Sequence, residues 1–434
     1  MRKNFSIFFL FLIVVFTMIS CQGEDVAENG FKVSLGEPVV VGQGPTVEES
    51  WWGYYQFPSV CLTSDSKIYV SVALGHDSID DYENDQRKNY LSVDNGRSWV
   101  EADAKVEFTK KGNGLKMQNG KNFCGFIAKN GYTASWIDNY KPAVYFKDRD
   151  FYMYYLKDIE ELSNVFTAEE YDEKTDTFER FQATVNWEYM PLIKIGNRLA
   201  SQANIWDMIE PTESLFALTP QSGMIQLDDG TLIFTMYSHG VDCQTGEAVT
   251  SAFNVYLFSS VDSGRTWNYY SQILTKDEYV KSGNEGLCEP SIARAPDGSY
   301  VMLMRTGENK PSYIARSTDN CRTWSEPEIF DNVGVFPQVV SLKCGVTLAS
   351  YGRPGLFFRW TGDPSAKKWN HPIDLGITSD IKNHGKYSCC YTRILPLSEN
   401  TALLVYMDFQ YPSKEDPEKK VKTILAREIV VSKK

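Results

Sequence analysis

An all-β chain arranged as a six-bladed β-propeller is what this sequence predicts, and three observations predict it. The first is a short repeat: SVDNGRSW (92–99), SVDSGRTW (260–267) and STDNCRTW (317–324) share Ser-x-Asp-x-Gly-x-x-Trp, with Cys321 in place of the glycine in the third copy. The second is a set of six strand-turn-strand hairpins spread along the chain. The third is a pair of apolar, β-rich segments at the two ends, FKVSLGEPVVV and KTILAREIVV, which are suited to close a ring by sharing one blade.

Each observation has a physical reason. In the eight-residue repeat the Asp and Ser side chains hydrogen-bond their own turn, glycine permits the bend, and tryptophan packs beneath as an apolar plug. Such turns mark a repeated four-stranded unit of the kind that builds propellers. The hairpins are SVCLTSDSKIYVSV (turn near Asp65), PAVYFKDRDFYMYY (Asp148), MIQLDDGTLIFTM (Asp229), SIARAPDGSYVMLM (Asp297), VVSLKCGVTLASY (Gly345) and RILPLSENTALLVY (Asn400). Apolar runs flanking Asp-Gly or a comparable turn pair as antiparallel strands. Between the second and third hairpins, KDIEELSNVFTAEEYDEKTDTFERF is rich in acidic residues and is expected to form a surface helix or extended loop with a solvated charged face. Residues 36–434 are expected to form a single propeller domain.

Composition narrows the function. The chain has 434 residues and a formal net charge of −12, with no basic cluster of the kind that follows a phosphate backbone, so nucleic acid is not an expected partner. Aromatic residues make up 14%, which suits a large β core and also sugar stacking. The opening MRKNFSIFFLFLIVVFTMISC has a positive start and an apolar stretch shorter than a bilayer span. It resembles a lipoprotein signal, which makes residues 1–21 a leader, Cys21 the lipid anchor and residues 22–35 a tether. On that resemblance the protein is expected to be exported to the outer membrane, at the cell surface, and to touch the membrane only through the lipid. Eight further cysteines lack a framework spacing and no disulfide is assigned; with four histidines and no CxxC pair, neither a metal nor any other cofactor is expected.

The residues that carry chemistry begin in NEGLCEPSIARAPDGSYVMLMRTG, where Glu289 and Arg305 stand almost equally far from Asp297-Gly298. A hairpin there brings a carboxylate and a guanidinium face to face at its open end. By the same reasoning Gln56, His76, His239, Arg353 and Tyr387 are expected at hairpin mouths on the same face. Together with YGRPG and GKYSCCYTRILPL, and with the Ser-x-Asp-x-Gly-x-x-Trp turns, this stretch resembles the sialidase (neuraminidase) superfamily, with its Asp-box turns and six-bladed propellers.

That resemblance implies roles, residue by residue. Tyr387 corresponds to the tyrosine nucleophile, with Tyr391 as the alternative. Glu289 corresponds to the acid that polarises the tyrosine, Arg305 and Arg353 to arginines that bind the substrate carboxylate, and Asp80, beside Asp77 and Asp81, to the catalytic acid. Gln56 stands where the family has its first arginine, a departure that argues against strict sialidase activity; Gln56, His76 and His239 would then read hydroxyls. The chemistry is coherent, because a neutral phenol approaches an anionic sugar without the repulsion a carboxylate would meet, and needs an adjacent base to draw off its proton. The expected function is an exo-acting glycoside hydrolase that removes a terminal acidic sugar from a glycan. The competing expectations are a propeller polysaccharide lyase acting on uronate-containing glycans and a lipoprotein that binds glycan without cleaving it.

Overall fold

The structure is a computed structural model of the chain, and it describes residues 27–28, 30–63, 65–75, 87–102, 115–126, 135–147, 151–160, 164–195, 198–200, 223–276, 285–378 and 380–433. The leader with Cys21, the tip of the second hairpin at Asp148, and His76, Asp77, Asp80 and Asp81 lie outside the described residues.

The strands form six sheets, and each sheet contains one of the six hairpins. The first runs Gln56–Leu62, Ile68–Ala73, Arg87–Ser92, Val100–Ala102; the second runs Val144–Phe146, Phe151–Tyr155, Pro191–Ile195, Arg198–Ala200. The third has Met224–Gln226, Leu232–Val241, Ala248–Ser260 and Thr266–Ile273. The fourth is Cys288–Arg294, Tyr300–Arg305, Ser312–Ser317, Glu328–Asp331, and the fifth is Val335–Ser341, Thr347–Gly352, Leu356–Thr361, Ile373–Asp374. The sixth joins Arg393–Pro396, Thr401–Pro412 and Lys420–Lys433 to the N-terminal strands. There Phe31–Leu35 pairs antiparallel with Lys420–Lys433, from Phe31 opposite Lys433 to Leu35 opposite Ile429, and Val39–Gln43 pairs with the same strand further along. The two chain ends therefore share a sheet, and the pairing starts inside the segment assigned to the tether.

Apolar side chains fill the spaces between successive sheets. Tyr237, Leu257, Ile292 and Met302 pack between the third and fourth sheets, Val301, Leu303, Val339 and Tyr351 between the fourth and fifth, and Leu348, Phe358, Leu404 and Leu425 between the fifth and sixth. Val70, Val72, Val405 and Met407 join the sixth to the first. A strand covered on both faces needs a continuous apolar run rather than alternation. YVMLMR has such a run, and both it and TLASYG, where Thr347 and Ser350 are the buried polar exceptions, are buried along nearly their whole length.

The acidic segment corrects the expectation. It is not a surface helix or loop but a hairpin, Val165–Asp172 against Thr177–Asn186, whose second strand lies parallel to Thr266–Ile273 and so widens the third sheet outward. Phe166, Ala168 and Tyr171 are buried there, and so are Glu169 and Glu170. A buried carboxylate requires partners. Arg180 pairs with Glu169, and Lys121 and Arg265 both pair with Glu170.

The Ser-x-Asp turns form as expected. Ser92 Oγ donates to Asp94 Oδ1 at 2.7 Å, the Gly96 amide donates to Ser92 Oγ, and Trp99 Nε1 donates to the Gly96 carbonyl at 3.0 Å. The copy at 260–267 repeats all three bonds, and Trp267 is fully buried. Cys321 adopts φ +65° where the other copies have glycine. A fourth turn of this kind escaped the sequence pattern because it is one residue longer. In TGDPSAKKW the Asp363 carboxylate accepts the amides of Lys367 and Lys368, and Trp369 Nε1 donates to the Ala366 carbonyl at 2.8 Å.

Candidate active site

The first strands of the first, fourth and fifth sheets are broken at the same place. Their pairing registers shift between Gln56 and Ser59, between Cys288 and Ser291, and between Val335 and Gln338. The residue inside each shift takes a positive φ: Phe57 (+55°), Glu289 (+44°) and Phe336 (+47°). A β-bulge of this kind re-aims one side chain out of the regular pleat. Each bulge residue lies nine positions before the residue at the tip of its own hairpin: Ser66, Gly298 and Gly345. In the sixth hairpin the residue nine positions before Asn400 is Tyr391.

These four residues meet. The Tyr391 hydroxyl donates to Glu289 Oε1 at 2.7 Å, and Arg305 Nη1 donates to the same oxygen at 2.9 Å. The other carboxylate oxygen, Oε2, accepts the backbone N–H of Phe336 at 2.9 Å. The Phe336 ring stacks on Tyr391 with centroids 4.2 Å apart and an 11° interplanar angle, while Phe57 lies 4.9 Å away at a tilt. One carboxylate thus receives a phenol, a guanidinium and an amide, a set that fixes its orientation.

Burial pushes the Tyr391 phenol well above the ordinary tyrosine value; the Glu289 charge adds to the effect, while Arg305 and Arg353 oppose it. The hydroxyl is therefore a neutral donor whose proton faces a carboxylate. For Arg305, burial works against the charge, but Glu289 more than offsets it, so the guanidinium remains cationic. Its Nη2 also faces Glu285, with an ion-pair distance of 3.4 Å.

Arg353 reaches the same cluster from the position just after the second strand of the fifth sheet. Its Nη2 donates to the Cys389 carbonyl at 2.7 Å, and its guanidinium carbon lies 5.5 Å from the Trp52 ring centroid and 5.9 Å from that of Tyr391. Trp52 belongs to a turn secured by Lys422, whose ammonium donates to the carbonyls of Trp51 and Tyr54. Arg393 lies 4.4 Å from the Phe336 ring centroid, with Nε donating to the Pro58 carbonyl at 3.3 Å. Burial, followed by repulsion from Arg87, pulls its pKa down to about 10. Gln56 Oε1, Arg305 Nε and Arg353 Nε are buried and carry no hydrogen bond among the described residues.

The structure brings Glu289, Arg305 and Arg353 together as expected from the sequence. It does not bring Tyr387 to them. Tyr387 lies thirteen positions before Asn400, four too many for the ring position. Its side chain packs on the apolar cluster between the fifth and sixth sheets. The intervening residues are pinned by Ser388 Oγ, which donates to the Met407 carbonyl at 2.7 Å, and turn at Cys390, where φ is +60°. Tyr391, the alternative, is the tyrosine that meets Glu289. Gln56 is buried just before the Phe57 bulge, so a phenylalanine rather than a polar side chain takes the ring position in the first sheet. His239 is buried, with Nδ1 2.7 Å from the Ser251 carbonyl and its ring against Phe253. Phe57, Phe336, Trp52 and Arg393 were missed from sequence, although the nine-residue spacing to the turn tip identifies Phe57 and Phe336.

Residues 200–413 match the BNR repeat-like domain family. No curated protein sequence matches the chain. Among solved structures, a protein of unknown function from Dyadobacter fermentans is similar with a TM-score of 0.57 and 17% identity, covering 93% of this chain and 100% of that one. The Hadza microbial sialidase Hz136 has a TM-score of 0.47 and 14% identity over 91% of this chain and 68% of its own. An α-L-arabinanase from Penicillium chrysogenum has a TM-score of 0.44 and 12% identity, covering 91% of this chain and 98% of its own.

Proposed function

We propose that this chain, of which residues 200–413 match the BNR repeat-like domain family, is a sialidase-like glycoside hydrolase that removes a terminal acidic sugar from glycans, with Tyr391 as its nucleophile. The single observation that carries this reading is the Tyr391–Glu289–Arg305 cluster, in which one carboxylate oxygen accepts both the phenol and a guanidinium. A phenol held neutral is a weak nucleophile until its proton moves, and Glu289 is hydrogen-bonded to that proton. As the Tyr391 oxygen attacks the anomeric carbon, the proton passes to Glu289 and the bond to the aglycone oxygen breaks. The leaving oxygen takes a proton from an acid, the role assigned to Asp80. Water then displaces Tyr391, giving one proton to the carboxylate that had protonated the aglycone, while the Tyr391 oxygen recovers its own proton from Glu289. Arg305 and Arg353 hold the sugar carboxylate through paired N–H donors. Export as a surface lipoprotein through Cys21 belongs to the same proposal.

The test is a panel of aryl glycosides of sialic acid, hexuronic acids and deoxysugars, assayed with wild type, Tyr391→Phe and Tyr387→Phe. The expected outcome is a loss of about 10³-fold or more in kcat/KM for Tyr391→Phe and near-wild-type turnover for Tyr387→Phe. Undiminished turnover by Tyr391→Phe would remove the nucleophile from this reading. A product with a new ultraviolet-absorbing double bond would replace hydrolysis with lyase chemistry, and binding without product would leave a glycan-binding protein.

A further inference from the structure

Arg353 already has a carboxylate beside it, and that carboxylate is not part of the Tyr391 cluster. Glu308, on the loop after Tyr300–Arg305, places Oε1 3.9 Å from Arg353 Nη1 and 2.7 Å from Nε2 of His384. His384 opens the short 3-10 turn His384–Lys386, so the pair joins a loop of the fourth sheet to the segment entering the sixth, across the fifth-sheet arginine. The Arg353 side chain is 8% exposed and that of Glu308 is 48% exposed. The guanidinium lies below, and its counter-ion stands on the solvent side of it. His384 is braced edge-on against Trp52, whose ring also lies over Arg353.

We propose that the Glu308–His384 pair is the specificity element of the site: Glu308 is an internal carboxylate that the carboxylate of an acidic sugar must displace from Arg353, and His384 holds Glu308 and sets how strongly it competes. This rests on the reading of Arg353 as a ligand for the substrate carboxylate. Two carboxylates within a few ångströms of one guanidinium repel each other, and the loser must find another cation. A protonated His384 supplies that cation. With His384 protonated, the Arg353–Glu308–His384 set carries a net positive charge and admits an anion; with His384 neutral the set is balanced and an incoming anion is repelled by Glu308. The other charged groups on the pair's own segments are Lys310 beside Glu308 and Asp380, Lys382 and Lys386 around His384. Asp380 is held within its segment by Asn383 and the Lys382 amide. Trp52, the contact from the first-sheet side, carries no charge.

The sign follows from histidine chemistry, since an imidazole is a cation only when protonated and loses that charge as pH rises. Affinity for an acidic sugar falls as pH rises, while affinity for an uncharged sugar stays level. The experiment is calorimetric titration of wild type, Glu308→Gln and His384→Asn with free sialic acid and D-glucuronic acid, each compared with its methyl ester, from pH 5 to 8.5. For wild type, the Kd for whichever acid binds is expected to rise about threefold to tenfold toward high pH, with no such trend for the ester. Glu308→Gln is expected to bind the acid several-fold more tightly than wild type at pH 8 and to lose the pH trend; His384→Asn is expected to bind weakly at every pH. A Glu308→Gln protein that keeps both wild-type affinity and the wild-type pH trend would overturn the proposal, as would one that binds the acid more weakly. Failure of wild type to bind either acid at any pH would overturn the functional reading itself, and this inference with it.

Discussion

Glu289 is the residue on which the site depends, because its two oxygens receive three donors from three different sheets. Replacing it with glutamine keeps the shape but removes the proton acceptor and the charge opposite Arg305. Glu289→Gln is therefore expected to reduce kcat/KM by about 10²- to 10⁴-fold, in the range of a lost general base, with a smaller effect on KM. Urea unfolding should show a loss of about 1–3 kcal/mol, the cost of leaving a buried guanidinium less well paired. The Tyr391 phenol adds a pH signature. Its pKa is raised by burial and by Glu289, so the folded protein retains this proton at pH values where the unfolded chain, near its ordinary value of about 10, has lost it. The group's contribution to stability is complete below about pH 10 and is lost as pH rises further. The wild-type pH–rate profile should accordingly show no rise toward pH 10 from phenolate formation; such a rise, absent in Tyr391→Phe, would contradict a neutral resting nucleophile.

At the scale of the element, two local devices do most of the shaping. The Ser-x-Asp turns satisfy their own amides, and in the first two copies the tryptophan bonds back into the turn, whereas Trp324 of the third donates to Ser271, so the turn itself is readable from eight residues. Trp267 is fully buried against Phe123 and Phe234, with ring centroids 5.4 and 4.7 Å away. Trp267→Ala should cost about 3–5 kcal/mol in urea unfolding, as expected for an aromatic deleted from a packed core. Trp99 closes an equivalent turn but is only partly buried, and Trp99→Ala should cost clearly less. The second device is the bulge in the first strand of three sheets. It converts a strand position into an inward-pointing one, and a one-residue error in placing it exchanges Phe57 for Gln56. The nine-residue distance from each hairpin tip makes the bulge legible, whereas the resemblance of GKYS to a family motif pointed four residues too early.

At the scale of the whole molecule, closure decides whether the site exists. Glu289 and Tyr391 are 102 residues apart in sequence, and they meet only because the fourth, fifth and sixth sheets pack face to face in order. The sixth sheet is completed by the N-terminal strands, and through Lys422 it also secures the turn that carries Trp52. Removing residues through Leu35 takes away the strand paired with the end of Lys420–Lys433. That truncation should lower Tm by several degrees relative to one ending at residue 26; equal melting curves for the two would show that this strand contributes little to closure.

The sequence by itself determined whatever depends on neighbours along the chain. Its turn residues specified the six hairpins, its Ser-x-Asp repeats specified the plugged turns, and the Asp297-Gly298 turn brought Glu289 opposite Arg305, because hydrogen bonding within a hairpin sets its own register. Only the tertiary structure decided which tyrosine reaches Glu289, that Phe336 supplies an amide and a ring to the same pair, that Glu308 and His384 meet above Arg353, and that the acidic segment folds as an outer hairpin with its glutamates paired. Those contacts join different sheets, and their geometry is set by how far each bulge turns a side chain and how closely adjacent sheets pack, quantities to which no single stretch of sequence is sensitive.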